Sequence, residues 1–165
     1  MEIYLIRHGI AAERGTYDQD EERPLTNKGI NKTTLVAKKL AAVGLKFDLI
    51  LTSPLVRAYQ TAEILQQIGL NPKIAISQSL SPNGNIQEWL DSLKKEFSSV
   101  NSDYKLALVG HQPDLGNWAE MLVWGSIKEQ IIVKKAGVIG LKILDLDRPL
   151  GTSELFLLAS PKWLI

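Results

Sequence analysis

Only two histidines occur in the chain, His8 and His111, and each stands just past an apolar run. The first run, Glu2–Ile6, ends in Arg7, His8 and Gly9; the second, Tyr104–Val109, is followed by one glycine and then His111. A third run, Phe47–Thr52, delivers Ser53 and, one helical turn on, Arg57. An imidazole of ordinary pKa, about 6.5, is a competent phosphoryl acceptor near neutral pH. A guanidinium offers a planar fork of donors matched to phosphoryl oxygens. Two imidazoles and two guanidiniums brought to one point would make an anion cradle with a nucleophile inside it. Singly, each residue has a plainer reading. A strand-end histidine is usually a hydrogen-bonded structural group, Ser-Pro before a helix is usually a cap, and one arginine is usually a surface charge. The coincidence that both histidines hold the same kind of position favours the chemical reading.

Convergence requires the three runs to be neighbouring parallel strands, because crevices in open α/β sheets lie at the carboxyl ends of strands. Strands alternating with helices indicate a three-layer α/β/α sandwich with a mainly parallel sheet. "LTNKG" reads as a helix start with Thr26 as N-cap and Ile30, Ala37, Leu40 and Ala41 on one face, ended by Gly44. After the second strand, Ser53 can cap and Pro54 suits the first helical position, with Leu55, Ala58, Ala62 and Leu65 at helical spacing. "KIAIS" reads as a short strand and Ile86–Phe97 as a helix with Trp89, Leu90 and Leu93 inward. A further helix is expected from Pro113 to about Trp124, with Trp118 and Trp124 near the pocket rim. "AGVIGLKILDL" and "ELFLLAS" read as an antiparallel pair at the sheet edge, followed by a short packed tail, "PKWLI". No interior linker stands out, so residues 1–165 are assigned to a single domain.

Composition narrows the function classes. Nineteen basic and eighteen acidic residues leave a net charge of +1, which argues against a nucleic-acid or membrane-surface binder. The absence of cysteine excludes disulfides, thiol catalysis and thiolate metal sites. No secretory signal or membrane-length apolar run is present, so a cytoplasmic protein is expected. A metal held by the two histidines with Asp18, Asp20 or Asp114 is disfavoured by the neighbouring arginines and by the lack of an H-x-H or H-E-x-x-H spacing. Neither G-x-S-x-G nor a nucleotide-binding loop appears, so no cofactor is expected.

Taken in order, "LIRHG", "LTNKG", "TSPLVRAYQTAE" and "VGHQP" resemble the histidine phosphatase superfamily, which includes the phosphoglycerate mutases. The short chain and the strings "RPLTNKG", "LSPNGN" and "VGHQPDLG" look most like its phosphohistidine phosphatase branch, the SixA type. The resemblance implies a phosphoglycerate mutase-like fold and a metal-independent phosphatase acting on phosphohistidine of a signalling phosphotransfer domain. It implies His8 as the nucleophile, with Arg7, Arg57 and His111 on the phosphoryl oxygens and His111 serving as a cation. Gly9 and Ser53 are counted with the substrate-binding residues, and a carbonyl at Gly9 is expected to fix the His8 tautomer. Larger relatives place an acidic residue on a helical insertion after the second-strand motif; this chain has no room for one. The proton donor is therefore sought at Asp20, within "DxxRPLT", with Asp18, Glu13 and Asp114 as alternatives. A small-molecule phosphomonoesterase of the same superfamily and a catalytically silent phosphoprotein-binding module are the competing readings, and a monomer is expected.

Overall fold

The computed structural model describes residues 1–97 and 101–165. Six strands, β1 (Glu2–Arg7), β2 (Leu49–Thr52), β3 (Ile74–Ile76), β4 (Lys105–Gly110), β5 (Val138–Lys142) and β6 (Glu154–Ala159), form one sheet in the order β3-β2-β4-β1-β5-β6. The pairs β2–β3, β2–β4 and β1–β4 are parallel; β1–β5 and β5–β6 are antiparallel, as expected of the late strands. Helices α1 (Asn27–Ala42), α2 (Val56–Gln67), α3 (Ile86–Phe97), α4 (Asp114–Trp124) and the single turn α5 (Pro161–Leu164) complete the chain.

Strands β1 and β4 lie in the middle of the sheet, so both faces of each are covered and their sequences are apolar almost throughout. Alternate residues serve opposite cores. Ile3, Leu5, Leu106 and Leu108 pack with Trp89, Leu93, Leu115 and Leu122 of α3 and α4. Tyr4, Ile6, Ala107 and Val109 pack with Val36, Leu40, Ala58 and Leu65 of α1 and α2. The result is the expected three-layer α/β/α sandwich with a mainly parallel sheet and an antiparallel edge. Each fully buried leucine in these cores contributes about 1.5–3 kcal/mol relative to leaving it in water.

Local departures from the sequence reading have physical causes. Thr26 caps α1 by accepting the Gly29 N–H (3.0 Å), but Ile30 is exposed. The buried stripe of α1 is Gly29, Thr33, Val36, Ala37 and Leu40, because Gly29 packs directly on the Ile10 backbone and a Cβ there would strike its carbonyl. Helix α2 begins at Val56, not Pro54, and Ser53 does not cap it. Strand β2 starts at Leu49, not Phe47, whose N–H goes to the Leu70 carbonyl (2.8 Å). Trp118 stacks on Trp89 in the core (5.2 Å between rings), and Trp124 lies under Lys128 at the end of α4; neither lines the cleft at the strand ends. In the tail, Pro161 is buried but Trp163 is 80% exposed. Among the described residues, no helix is long and apolar enough to cross a membrane.

Candidate active site

Parallel register sets the geometry. Arg7 lies opposite Gly110, and Thr52 opposite Val109, so β1, β4 and β2 end almost abreast. The residues that come next are His8, His111 and Ser53. The expected convergence is present. The His8 and His111 ring centroids are 5.1 Å apart, and a cleft of about 550 Å³ is lined by both rings together with Arg7 and Arg57.

His8 is 7% exposed. Its Nδ1 lies 2.7 Å from the Gly9 carbonyl, which can only accept, so Nδ1 carries the ring proton and Nε2 keeps its lone pair. Burial pushes the His8 pKa down to about 3, helped by His111, Arg57 and Arg7 and opposed by the Gly9 hydrogen bond. The ring is therefore neutral at pH 7, the form a nucleophile needs. Gly9 supports the ring from behind. Its N–H donates to Thr61 Oγ1 (3.1 Å), and a Cβ would collide with Thr33 Oγ1. With both backbone groups so engaged, Gly9 holds the nucleophile and does not line the cleft.

His111 is 4% exposed, and its Nε2 is 2.9 Å from Ser53 Oγ. Ser53 Oγ accepts the Leu55 N–H (3.3 Å), which leaves its own proton free to donate to Nε2. Ser53, expected as a cap and as a substrate contact, instead fixes the second imidazole. Burial and the charge of Arg57 push His111 down to about 3 as well. The cationic His111 expected from the sequence is thus neutral in the free site; a dianion arriving between the arginines would supply the charge that favours its protonation.

Both arginines are placed, and both keep an unused donor. Arg7 Nη1 donates to the Val133 carbonyl (2.9 Å). Arg57 donates from Nη1 to the Asp20 carbonyl (2.7 Å) and from Nη2 to Asp20 Oδ2 (2.8 Å). Among the described residues, the buried side-chain polar atoms without a partner are Thr33 Oγ1 and the Nε atoms of Arg7 and Arg57. Both guanidiniums line the cleft, and the protein leaves part of each one's donor capacity unused. Arg14, Arg23 and Lys135 add positive charge to the wall. Burial, then Arg7, Arg23, Arg14 and Arg57, lower the pKa of Lys135, which reports how concentrated that charge is.

The acidic candidates separate cleanly. Asp20, in a 3-10 turn (Asp20–Glu22), bridges Arg57 and Arg23 at 2.8 Å each. Burial opposes its ionisation, but the two guanidiniums outweigh it and hold the carboxyl below its usual range. An ionised, doubly paired carboxylate is poorly suited to donate a proton at neutral pH, contrary to the role expected of it. Glu13 and Asp114 line the cleft and Asp18 does not. Burial raises the Asp114 pKa, against a hydrogen bond from the Asn83 N–H (3.2 Å). Among the described residues, no group of three or more His, Asp or Glu side chains is arranged to hold a metal ion.

The two neutral imidazoles make stability depend on pH. Each binds a proton with pKa about 3 when folded, against 6.5 as the ordinary value. Between those values the unfolded chain holds more protons, so stability is full above about pH 6.5 and falls as pH drops toward 3. Urea midpoints measured from pH 7 to pH 4.5 should fall steadily, and less steeply for His8→Ala. Equal midpoints across that window would contradict the neutral pair.

Residues 3–80 match the histidine phosphatase superfamily (branch 1). An uncharacterized protein of Picosynechococcus sp. is 49% identical over 166 residues, spanning 100% of this chain and 99% of that one. Phosphohistidine phosphatase SixA of Escherichia coli is 31% identical over 116 residues, covering 67% of this chain and 71% of that protein. Among solved structures, the protein histidine phosphatase SixA complexed with tungstate superposes with a TM-score of 0.85 at 24% identity, covering 100% of both chains. Sequence likeness and shared architecture agree with the chemistry of the cleft, and the chain is a phosphatase that belongs to the histidine phosphatase superfamily, in its SixA-type branch.

Proposed function

We propose that the chain is a metal-independent phosphohistidine phosphatase of the cytoplasm. Its substrate is a phosphoryl group on a histidine phosphotransfer domain or a similar signalling phosphoprotein, and the intermediate is a phosphohistidine at His8. The observation that carries the reading is the His8 ring itself: neutral, tied through Nδ1 to Gly9, and set 5.1 Å from a second imidazole between Arg7 and Arg57.

In the first step, the Nε2 lone pair of His8 forms a bond to phosphorus as the bond from phosphorus to the substrate nitrogen breaks. The leaving ring takes that electron pair. When its other nitrogen is protonated it departs as neutral imidazole and requires no proton from the enzyme. Arg7, Arg57 and His111 neutralise the equatorial oxygens throughout. In the second step, water attacks phosphorus, the bond to His8 Nε2 breaks, and phosphate leaves with the water's protons. Neutral His8, still protonated on Nδ1, is restored.

The fate of the proton separates substrate classes. An alkoxide leaving group needs a donor, and Asp20 is held ionised by two arginines. Burial shifts Asp114, also in the cleft, in the direction a proton donor needs. Turnover of phosphohistidine protein should therefore exceed that of alkyl phosphates. Asp114→Asn should slow alkyl phosphate hydrolysis by about 100-fold while changing phosphohistidine turnover by less than about threefold. A side-by-side panel of phosphohistidine proteins and sugar phosphates measures both. Equal or faster rates on sugar phosphates would replace this reading with a small-molecule phosphomonoesterase.

A further inference from the structure

Glu120 sits in the middle of α4, has no exposed surface, and takes no part in the chemistry above. Its carboxylate is enclosed by consecutive backbone donors. Oε1 accepts from the N–H groups of Gln130 (2.5 Å) and Ile131 (2.6 Å), and Oε2 from those of Glu129 (2.8 Å) and Lys128. Burial opposes its ionisation, yet these four donors hold its pKa below the ordinary value. The donors belong to residues 126–137, an irregular strap that joins α4 to β5 and has no helix or strand hydrogen bonds of its own. Glu129 adopts a left-handed φ of 55°, which curls the strap around the carboxylate as an anion nest.

The strap leads directly to the catalytic end of β1. Two residues beyond Ile131, the Val133 carbonyl accepts from Arg7 Nη1 (2.9 Å). Gln112, the neighbour of His111, clamps the intervening stretch by donating to the Ile131 carbonyl (3.2 Å) and accepting from the Val133 N–H (3.3 Å). Further on, the Ala136 N–H reaches the carbonyls of Arg7 (3.1 Å) and His8 (3.2 Å). Gly116 lets the strap approach α4, since a Cβ there would strike the Ile131 carbonyl.

We propose that Glu120 is a positioning residue for Arg7: its buried carboxylate fixes the 128–133 strap, and the strap fixes the guanidinium that receives the phosphoryl oxygens. The inference rests on the role given to Arg7 under the proposed function. A strap anchor without this role would change stability alone. A positioning residue changes how the oxyanion is held.

The test is a double-mutant cycle with an aryl phosphate as substrate and inorganic phosphate as competitive inhibitor. Glu120→Gln keeps the shape but points an amide NH2 at N–H donors. It should raise KM and the phosphate inhibition constant together and lower kcat/KM by about 10–100-fold, the cost expected of a misplaced contact. On the Arg7→Ala background the same change should have less than about a twofold effect, because the group it acts through is gone. If the two effects multiply, or if Glu120→Gln lowers kcat with KM unchanged as loss of folded protein would, the positioning role is wrong. If Arg7→Ala itself leaves kcat/KM intact, the reading of the site fails first and takes this inference with it. Should Glu120→Gln not fold, Gln112→Met removes the second clamp and must show the same dependence on Arg7; an equal effect in both backgrounds overturns the proposal.

Discussion

Replacing His8 with alanine abolishes the phosphoenzyme formed from an aryl phosphate and lowers turnover by about 10⁴-fold or more, the range seen when a covalent nucleophile is removed. Covalent capture by nitrogen has a chemical signature that distinguishes it from capture by an oxygen or by binding alone. A phosphoramidate bond survives alkali and is lost in acid, whereas a serine phosphoester shows the opposite pattern. Quenching the wild type with labelled phosphoryl donor, then splitting the sample between acid and base, reads this directly. No other neutral imidazole can substitute in the variant, because the ring of His111 is held at Nε2 by Ser53. Alanine leaves Arg7 and Arg57 in place, so His8→Ala should still bind phosphate. Acid-labile label persisting in His8→Ala would remove His8 from the reaction path; no label and no turnover in the wild type would overturn covalent transfer to His8.

His111→Ala is expected to lower kcat by about 10²–10³-fold, equivalent to roughly 2.7–4 kcal/mol of transition-state stabilisation. Burial and Arg57 keep this ring neutral in the free site, and the charge of an entering anion favours its protonation. Its protonation is therefore coupled to phosphoryl binding, and the contact is strongest when negative charge on the transferring group is greatest. The nucleophile remains, so the variant should still form phosphoenzyme, slowly. Rapid-quench measurement of label on His8 separates slow formation from slow hydrolysis. Phosphoenzyme formation at the wild-type rate in His111→Ala would show that this ring does not stabilise the transfer.

The parts of the site that arise from strand ends were legible in the sequence, because the residue after a buried parallel strand must emerge at the crevice. His8, His111 and Arg57 follow from that rule, and Trp89, Leu90 and Leu93 from helical spacing. What escaped depends on contacts between distant irregular segments. Asp20 reads as one carboxylate in an acidic loop; only the approach of its 3-10 turn to α2 shows it pairing with Arg57. Ser53 before Pro54 has the local features of a cap, and the tertiary demand of His111 overrode them. Lys135 and the strap have no periodic signal at all. Glu120 has no such signal: it stands one turn after Gly116, off the stripe formed by Leu115, Trp118, Ala119 and Leu122, and only the strap that covers that side buries it. Ile30 has the spacing of a core residue yet faces outward, because small Gly29 takes the close contact of α1 with the Ile10 backbone.

The order of strands bears on how the enzyme comes into being. β4 sits between β1 and β2, and its first residue pairs Lys105 with Glu2 across more than half the chain. During synthesis the ribosome must therefore complete β4 before His8 can meet its partner ring, and a nascent chain that stops short of it is chemically silent. Such distant pairing also slows folding relative to local helix formation. Regain of turnover after dilution from denaturant should therefore track the insertion of β4 between β1 and β2 and not the growth of helix.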